Sequence, residues 1–238
     1  MISKDDDLHF NSEINNLYSF KNEVIDRLEY REEQLVVREG SPPEAAVLFL
    51  LLINTNQTNA QHYLDNIYLL LEKRSKHLKK NPNDMAFPGG KMDEADENII
   101  QTAYRESQEE LGIEPEKLEY LGTMDEFISS SGTIVRTVIS WLEIDDHIND
   151  FRRQMEKKFS PKTSESERTV VIPLSHFLNP DNYYSVEFFF PSNRHVWIRY
   201  FFIDNYFSEE VIWGLTASMI RRFVNILYPN NKLPQELI

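Results

Sequence analysis

Three glutamates near the middle of the chain could share one chemical task. Glu106, Glu109 and Glu110 have the spacing of neighbours on one face of a helix. Like charges this close repel one another and destabilise a helix that has nothing positive beside it. Hard divalent cations bind carboxylate oxygens and share them with substrate phosphates. The spacing therefore predicts a divalent metal site on this face, with Mg²⁺ or Mn²⁺ as the cation.

The residues around the glutamates predict the helix itself. An apolar or small stripe recurs at helical spacing on the opposite side: Ile100, Ala103, Ser107 and Leu111. Gly112 follows the last periodic residue and Pro115 comes soon after, which is a common way for a helix to end. Upstream, residues 88–90 read Pro-Gly-Gly and predict a tight loop. Two positions there lack a Cβ, so the backbone could approach a ligand and a glycine carbonyl could complete a metal shell.

The segment at residues 87–113 resembles the Nudix box, G-x5-E-x7-R-E-U-x-E-E-x-G-U, where U is a bulky aliphatic residue. The matching residues are Arg105, Glu106, Glu109, Glu110, Gly112 and Ile113. One departure is the interval between Gly90 and Arg105, which is one residue longer than the pattern allows. The upstream glutamate of the pattern is therefore replaced either by Asp96 or by Glu97.

A narrower resemblance is to the coenzyme A pyrophosphatase branch, whose signature is L-L-T-x-R-S-x3-R-x3-G-x3-F-P-G-G. The same spacing holds for Leu70, Leu71, Arg74, Ser75, Phe87, Pro88, Gly89 and Gly90. Three positions differ, because Glu72 replaces the threonine, Lys79 the second arginine and Asn83 the glycine. The last change is mild, since asparagine tolerates left-handed backbone. The longer interval before the box and the segment at residues 212–217 also resemble this branch.

The resemblance implies an α/β fold, the Nudix α/β/α sandwich with a mixed β-sheet. We expect residues 41–238 to form the Nudix domain, with the box at about 89–113 and a helix near the C-terminus. Residues 1–40 are predicted to be a helical extension. The alternation of predicted strands and helices suits a layered fold of this kind.

The resemblance also implies a reaction, the metal-dependent hydrolysis of the pyrophosphate bond of coenzyme A or its thioesters. The products would be 3′,5′-ADP and 4′-phosphopantetheine or its acyl form. Two alternatives stay open. One is a Nudix hydrolase of another nucleoside diphosphate derivative, such as ADP-ribose or NADH. The other is a regulator that binds a nucleotide without catalysis, although a pure binder gains nothing from mutually repelling carboxylates.

The expected roles follow from this resemblance and from the helix geometry. Glu106 and Glu110, one turn apart, are the best candidates for metal ligands, and Glu109 is the third. Arg105 is expected to orient a carboxylate, with Glu109 at i+4 as a candidate partner. The general base stays open between three carboxylates: Glu109, Glu126 and Glu165.

Four residues are predicted to contact substrate: Arg74, Lys79, Gly89 and Gly90. The functional interpretation of the two basic side chains is contact with phosphates, including the 3′-phosphate that distinguishes coenzyme A. The alternative is an ion pair with the acidic segment at residues 93–97. The sequence alone weighs these interpretations about evenly.

Composition narrows the function classes further. The 238 residues carry a formal net charge of −14, which disfavours nucleic acid as a partner. The absence of cysteine excludes disulfides and thiolate metal sites. The longest apolar run, at residues 45–53, is far shorter than the roughly 20 residues that span a bilayer. These features predict a cytoplasmic protein without a membrane partner. The resemblance implies a small nucleotide substrate, and a homodimer is possible.

Hydrophobic patterns predict the remaining elements. Strands are expected at residues 45–53, 67–71, 118–122, 133–141 and 169–174, and a hairpin pair at 188–190 and 196–202. Helices are expected at 147–158 and 209–227, and a loop at 54–66. The N-terminal helix is predicted to dock through Phe10, Ile14, Leu17, Tyr18 and Phe20. Trp213 and Gly214 are expected to pack inside the C-terminal helix, with the glycine permitting close approach of a neighbour.

Overall fold

The computed structural model of the chain describes residues 4–31, 44–56, 63–145, 150–189, 195–202 and 211–229. The helices are α1 (Lys4–Glu29), α2 (Ile99–Leu111), α3 (Phe151–Lys158), α4 (Leu174–Leu178) and α5 (Gly214–Leu227). The strands are β1 (Glu44–Asn54), β2 (Ile67–Arg74), β3 (Met85–Ala86), β4 (Gly89–Lys91), β5 (Glu119–Ile128), β6 (Ile134–Ile144), β7 (Ser166–Pro173), β8 (Tyr183–Phe189), β9 (His195–Phe202) and β10 (Val211–Trp213). Short 3₁₀ helices lie at Tyr63–Asn66, Pro115–Lys117 and Pro180–Asn182.

Strand β1 is the centre of a mixed seven-stranded sheet with the order β3-β2-β1-β6-β5. It runs parallel to β6 along its whole length and antiparallel to β2. Strand β4 pairs with the first residues of β1, and β7 pairs with β2. Strands β8, β9 and β10 form a separate three-stranded antiparallel sheet. The predicted hairpin pair is therefore present, and its first strand begins five residues earlier than expected.

Helices cover both faces of the large sheet. In β1, Phe49 and Leu51 face a core that includes α1, α4 and α5, whereas Leu48 and Leu50 face a core that includes α2 and α3. Burial on both faces explains why β1 is a continuous apolar run rather than an alternating one. The predicted α/β/α sandwich with a mixed sheet is confirmed.

Helix α1 lies against the sheet through one apolar stripe. Its buried residues are Leu17, Phe20, Val24 and Leu28. Tyr18 also contacts the sheet, but through its hydroxyl, which donates to a carboxylate oxygen of Glu143, while its ring stays partly exposed. The spacing explains this, because Tyr18 is one residue off the buried stripe. Phe10 and Ile14 lie outside the residues whose side chains are described.

Several helices, strands and loops begin or end at other residues than the sequence predicts. The C-terminal helix begins at Gly214, and residues 211–213 pair with β9 as a strand. Helix α3 begins at Phe151 with Asp150 as its N-cap, and the predicted residues 147–149 lie outside the described ones. In the predicted loop at 54–66, Asn54 ends β1 and residues 63–66 form a 3₁₀ helix. Among the described residues, no helix is long and apolar enough to cross a membrane.

Candidate active site

Helix α2 is fixed at both ends by its own sequence. The Asn98 side chain accepts from the backbone N–H groups of residues 100 and 101, which caps the first turn. Gly112 has φ 71°, the left-handed conformation that favours glycine at a helix C-terminus. On the buried side, the Ser107 hydroxyl donates to the Ala103 carbonyl oxygen one turn back. Ser107 stands where the Nudix box has a bulky aliphatic residue, and this hydrogen bond satisfies its hydroxyl inside the helix.

The predicted Pro-Gly-Gly loop is in part a strand. Gly89 and Gly90 pair with Val47 and Ala46 at the start of β1. A Cβ on Gly89 would lie 2.3 Å from the Ala46 carbonyl oxygen, and a Cβ on Gly90 would lie 2.5 Å from the Glu106 carboxyl carbon. The two glycines therefore bring the backbone against β1 on one side and against a predicted metal ligand on the other.

Glu110 lies beneath this strand. Its Oε2 atom accepts from the Gly89 backbone N–H at 2.9 Å, and the residue is buried. Burial, and next the charge of Glu72, raise the pKa of Glu110 to about 9. Burial also raises the pKa of Glu106, which lies one turn earlier beside Gly90. Both carboxyl groups therefore lie close together against the glycine strand β4.

Glu109 occupies a different position. Its side chain is 59% exposed, and its Oε1 atom lies 3.5 Å from Nη1 of Arg105. Helix α2 thus directs Glu106 and Glu110 toward the two glycines, and Glu109 toward solvent. In the part of the chain that the structure describes, no three carboxylate or imidazole groups close around a metal-sized space.

Arg105 pairs chiefly with Asp96. Its Nε and Nη2 atoms each lie 3.0 Å from an oxygen of that carboxylate, whose side chain is 1% exposed. The bidentate hydrogen bonds lower the pKa of Asp96 to about 2 and raise that of Arg105. Arg105 Nη2 also lies 2.9 Å from Glu106 Oε1. Asp96, rather than the exposed Glu97, therefore takes the place of the upstream glutamate, and the expected Arg105–Glu109 pair is the longer contact.

The Asp96–Arg105 ion pair predicts that the fold loses stability in acid. Because the pKa of Asp96 falls from 3.8 to about 2 on folding, its stabilisation is present above pH 3.8 and is lost as the pH falls toward 2. We expect Asp96→Asn to lower the melting temperature at pH 7 and to flatten its decline between about pH 4 and pH 2. Melting curves against pH check this, with Glu97→Gln as the exposed control. Acid limbs that run parallel for Asp96→Asn and the unmodified protein would contradict it.

A cavity of about 580 Å³ opens beside β4. Three of the four residues predicted to contact substrate line it, namely Arg74, Gly89 and Gly90, whereas Lys79 is exposed and outside the lining. The alternative partner for Arg74, the segment at 93–97, is wrong. Its guanidinium faces Glu165 instead, with 3.9 Å between Nη2 and Oε2. An ion pair this long leaves the Arg74 guanidinium able to bind a phosphate group.

Trp213 lines the same cavity. It is exposed, and its indole N–H donates to Asp84 Oδ1 at 3.0 Å, which holds the ring in place. Gly214 has φ 61°, and no atom lies within 4 Å of where its Cβ would be. The prediction that these two residues pack within the helix is therefore wrong. The glycine is needed for left-handed backbone between β10 and α5, not for close approach.

Comparisons with known proteins identify the family of the chain. A family model described as the NUDIX domain matches residues 42–159. A protein of Pectobacterium atrosepticum named "Uncharacterized Nudix hydrolase NudL" is 32% identical over 154 residues, 65% of this chain and 72% of that protein. The chain belongs to the Nudix hydrolase family. NudL of Yersinia enterocolitica is 30% identical over 201 residues, 84% of this chain and 89% of its own. A solved MutT/nudix family protein from Enterococcus faecalis is 17% identical, covers 96% of this chain and 76% of its own, and has a TM-score of 0.44.

The Nudix site has a donor set that fits a divalent cation. Glu106 and Glu110 offer carboxylate oxygens, the type of ligand that Mg²⁺ and Mn²⁺ accept. The Gly90 backbone leaves open a space that a Cβ would fill at 2.5 Å from the Glu106 carboxyl. Nudix hydrolases generally use such metals, and these two residues would hold one here.

The candidates for the general base lie in different surroundings. Glu126 is largely buried and lies 2.7 Å from Nη2 of Arg136, so an ion pair already engages it. Glu165 is exposed beside Arg74, which lines the cavity, and Glu109 is exposed beside Arg105. The first is engaged in an ion pair, whereas the other two are open to a water molecule.

Sequence reasoning assigned no role to Glu72. It is buried in β2 and lies beside Glu110 of α2. Its only signal in the sequence is the replacement of the threonine of the branch signature. Trp213 was noticed, but its position at the cavity depends on β10, which the sequence pattern did not reveal.

Proposed function

We propose that the protein hydrolyses the pyrophosphate bond of coenzyme A or its thioesters, with Mg²⁺ or Mn²⁺ as cofactor. The products are 3′,5′-ADP and 4′-phosphopantetheine or its acyl form. One observation carries the proposal. Arg74, Gly89 and Gly90, all from the coenzyme A branch signature, line one cavity, and the same Gly90 lies against Glu106 of the Nudix helix.

The chain's own residues have distinct tasks in this reaction. Glu106 and Glu110 hold the cation, and Glu109 is the third predicted ligand. Arg105 positions Glu106 through the contact between Nη2 and Oε1. When bound, the cation neutralises pyrophosphate oxygens and lowers the pKa of a coordinated water. Arg74 contacts phosphate at the cavity, and Gly89 and Gly90 let the substrate approach the backbone.

Glu165 is the proposed general base. It is exposed next to Arg74, a residue of the cavity lining, and its carboxylate can accept a proton from the attacking water. Glu109 is the alternative, since it is equally exposed on the other side of Arg105. Glu165→Gln and Glu109→Gln, compared by kcat at saturating substrate, separate the two. The variant that loses kcat without a rise in KM identifies the base.

Product analysis tests the proposed reaction directly. The protein is incubated with coenzyme A, ADP-ribose or NADH, each with Mg²⁺ or Mn²⁺. Metal-dependent release of 3′,5′-ADP from coenzyme A is the expected result. Turnover of only ADP-ribose or NADH would keep the Nudix chemistry and overturn the coenzyme A assignment. Tight binding without turnover of any substrate would favour the regulator.

Arg74 supplies a prediction about specificity. Its Nε atom is buried without a hydrogen-bond partner in the described part of the chain, and its ion pair with Glu165 is long. We expect Arg74→Gln to raise KM for coenzyme A by roughly tenfold, with kcat little changed, because a charge-assisted contact is worth about 1.5–3 kcal/mol. Dephospho-coenzyme A, which lacks the 3′-phosphate, should show a much smaller change.

Two neighbouring lysines sharpen this measurement. Lys79→Gln tests the second predicted phosphate contact, and Lys80→Gln is a matched exposed control. Equal rises in KM for coenzyme A and its dephospho form would place Arg74 at the pyrophosphate rather than at the 3′-phosphate. No rise for either would remove Arg74 from the substrate site.

A further inference from the structure

Glu72 is a carboxylate inside the sheet. The residue is 3% exposed, and it follows Leu70 and Leu71, which are completely buried in the same strand. Strand β2 is paired on both edges at this point, with Ala86 of β3 and Thr169 of β7. An ionisable group in such surroundings is costly unless it has hydrogen bonds or an opposite charge.

Only one Glu72 oxygen is satisfied within the described part of the chain. The Ser166 hydroxyl donates to Oε2, which fixes the carboxyl group from the β7 side. Oε1 is buried and has no hydrogen-bond partner among the described residues. Glu72 lies on the same face of β2 as Leu70, which packs with residues of α2, so Oε1 is available to a group on that face.

The neighbour on that side is the carboxyl group of Glu110. The two groups lie within hydrogen-bonding reach of each other, and both residues are buried. Ionised carboxylates only accept hydrogen bonds, so two of them meet favourably only around a proton or a cation. Glu110 is already a predicted metal ligand, which makes a shared cation the better match.

We propose that Glu72 belongs to the cation site and binds a divalent metal ion together with Glu110. The inference rests on the metal dependence of the proposed function. Three features carry it: the unpartnered buried Oε1, the anchoring of Oε2 by Ser166, and the contact with Glu110. A threonine, the residue of the branch signature, would leave the site with one negative charge fewer. This chain therefore holds its cation with an additional carboxylate from the sheet.

Binding of Mn²⁺ alone tests the assignment without any substrate. Titration of the full chain, followed by the electron paramagnetic resonance signal of free Mn²⁺, gives the dissociation constant. We expect Glu72→Gln to weaken Mn²⁺ by roughly tenfold or more, since even partners behind the direct ligands are typically worth 10- to 100-fold. Glu167 is an exposed carboxylate of β7, and Glu167→Gln should bind Mn²⁺ with the affinity of the unmodified protein.

The outcomes separate the inference from the function on which it rests. Unchanged Mn²⁺ affinity in a folded Glu72→Gln variant would overturn the role of Glu72 and leave a proton shared with Glu110 as the explanation. No Mn²⁺ binding by the unmodified protein would instead refute the proposed metal dependence. Glu72→Thr provides a second variant suited to a strand. For it, both the affinity and the Mn²⁺-induced rise in melting temperature should fall.

Discussion

Replacing Glu110 with glutamine is expected to lower the turnover of coenzyme A by at least about 100-fold while the protein stays folded. The lower bound follows because loss of a direct ligand should exceed the 10- to 100-fold effect of removing a supporting partner. The fold should persist, since the amide oxygen of glutamine can still accept from the Gly89 backbone N–H. Without metal, the melting temperature should hold or rise, because a buried ionisable group is removed beside Glu72.

Kinetics with Mn²⁺ and a thermal melt of the same preparation check both halves of this result. Glu114→Gln is a suitable control, because that carboxylate is exposed just beyond α2 and pairs only with Lys117 among the contacts described for it. Its kcat and melting temperature should match those of the unmodified protein. Retained turnover in a folded Glu110→Gln variant would reduce Glu110 to an anchor for β4.

The sequence predicts the helix and a metal-binding role for its three glutamates, but it places all three on one face. Residues 106 and 110 are one turn apart, so they align toward the sheet, whereas Glu109 is displaced from Glu110 by about 100° around the axis. That rotation explains why Glu109 is 59% exposed and beside Arg105. Spacing along one helix gives the angular order of side chains, but not which angle faces the substrate.

The sequence pattern could not predict contacts between distant segments of the chain. Glu72 lies beside Glu110 because β2 and β4 both pair with β1. Hydrophobic periodicity does not predict the order of strands in a sheet. The amphipathic pattern of α5 likewise continued into residues 211–213, which pair with β9 instead. Tertiary pairing overrode local propensity there, and the left-handed Gly214 marks the change of element.

Gly89→Ala is expected to be among the most destabilising single substitutions in the chain. Gly89 has φ 151°, which side chains rarely adopt, and a Cβ would lie 2.3 Å from the Ala46 oxygen and 2.6 Å from the Val47 Cα. Both are backbone atoms of the central strand, so relief requires β4 to separate from β1. Strain of about 1–3 kcal/mol and overpacking of about 1–3 kcal/mol together predict a loss of roughly 3 kcal/mol or more in the free energy of unfolding.

Gly214→Ala provides the matched comparison for that substitution. Gly214 also has positive φ, at 61°, but nothing lies within 4 Å of its Cβ position. It should therefore lose only the backbone term of about 1–2 kcal/mol. Urea unfolding of both variants gives the two free energies. If Gly89→Ala lost no more free energy of unfolding than Gly214→Ala, the close approach of β4 to β1 would not constrain residue 89. A larger loss for Gly89→Ala, together with lost metal binding, would show that the same contact holds Glu110 in position.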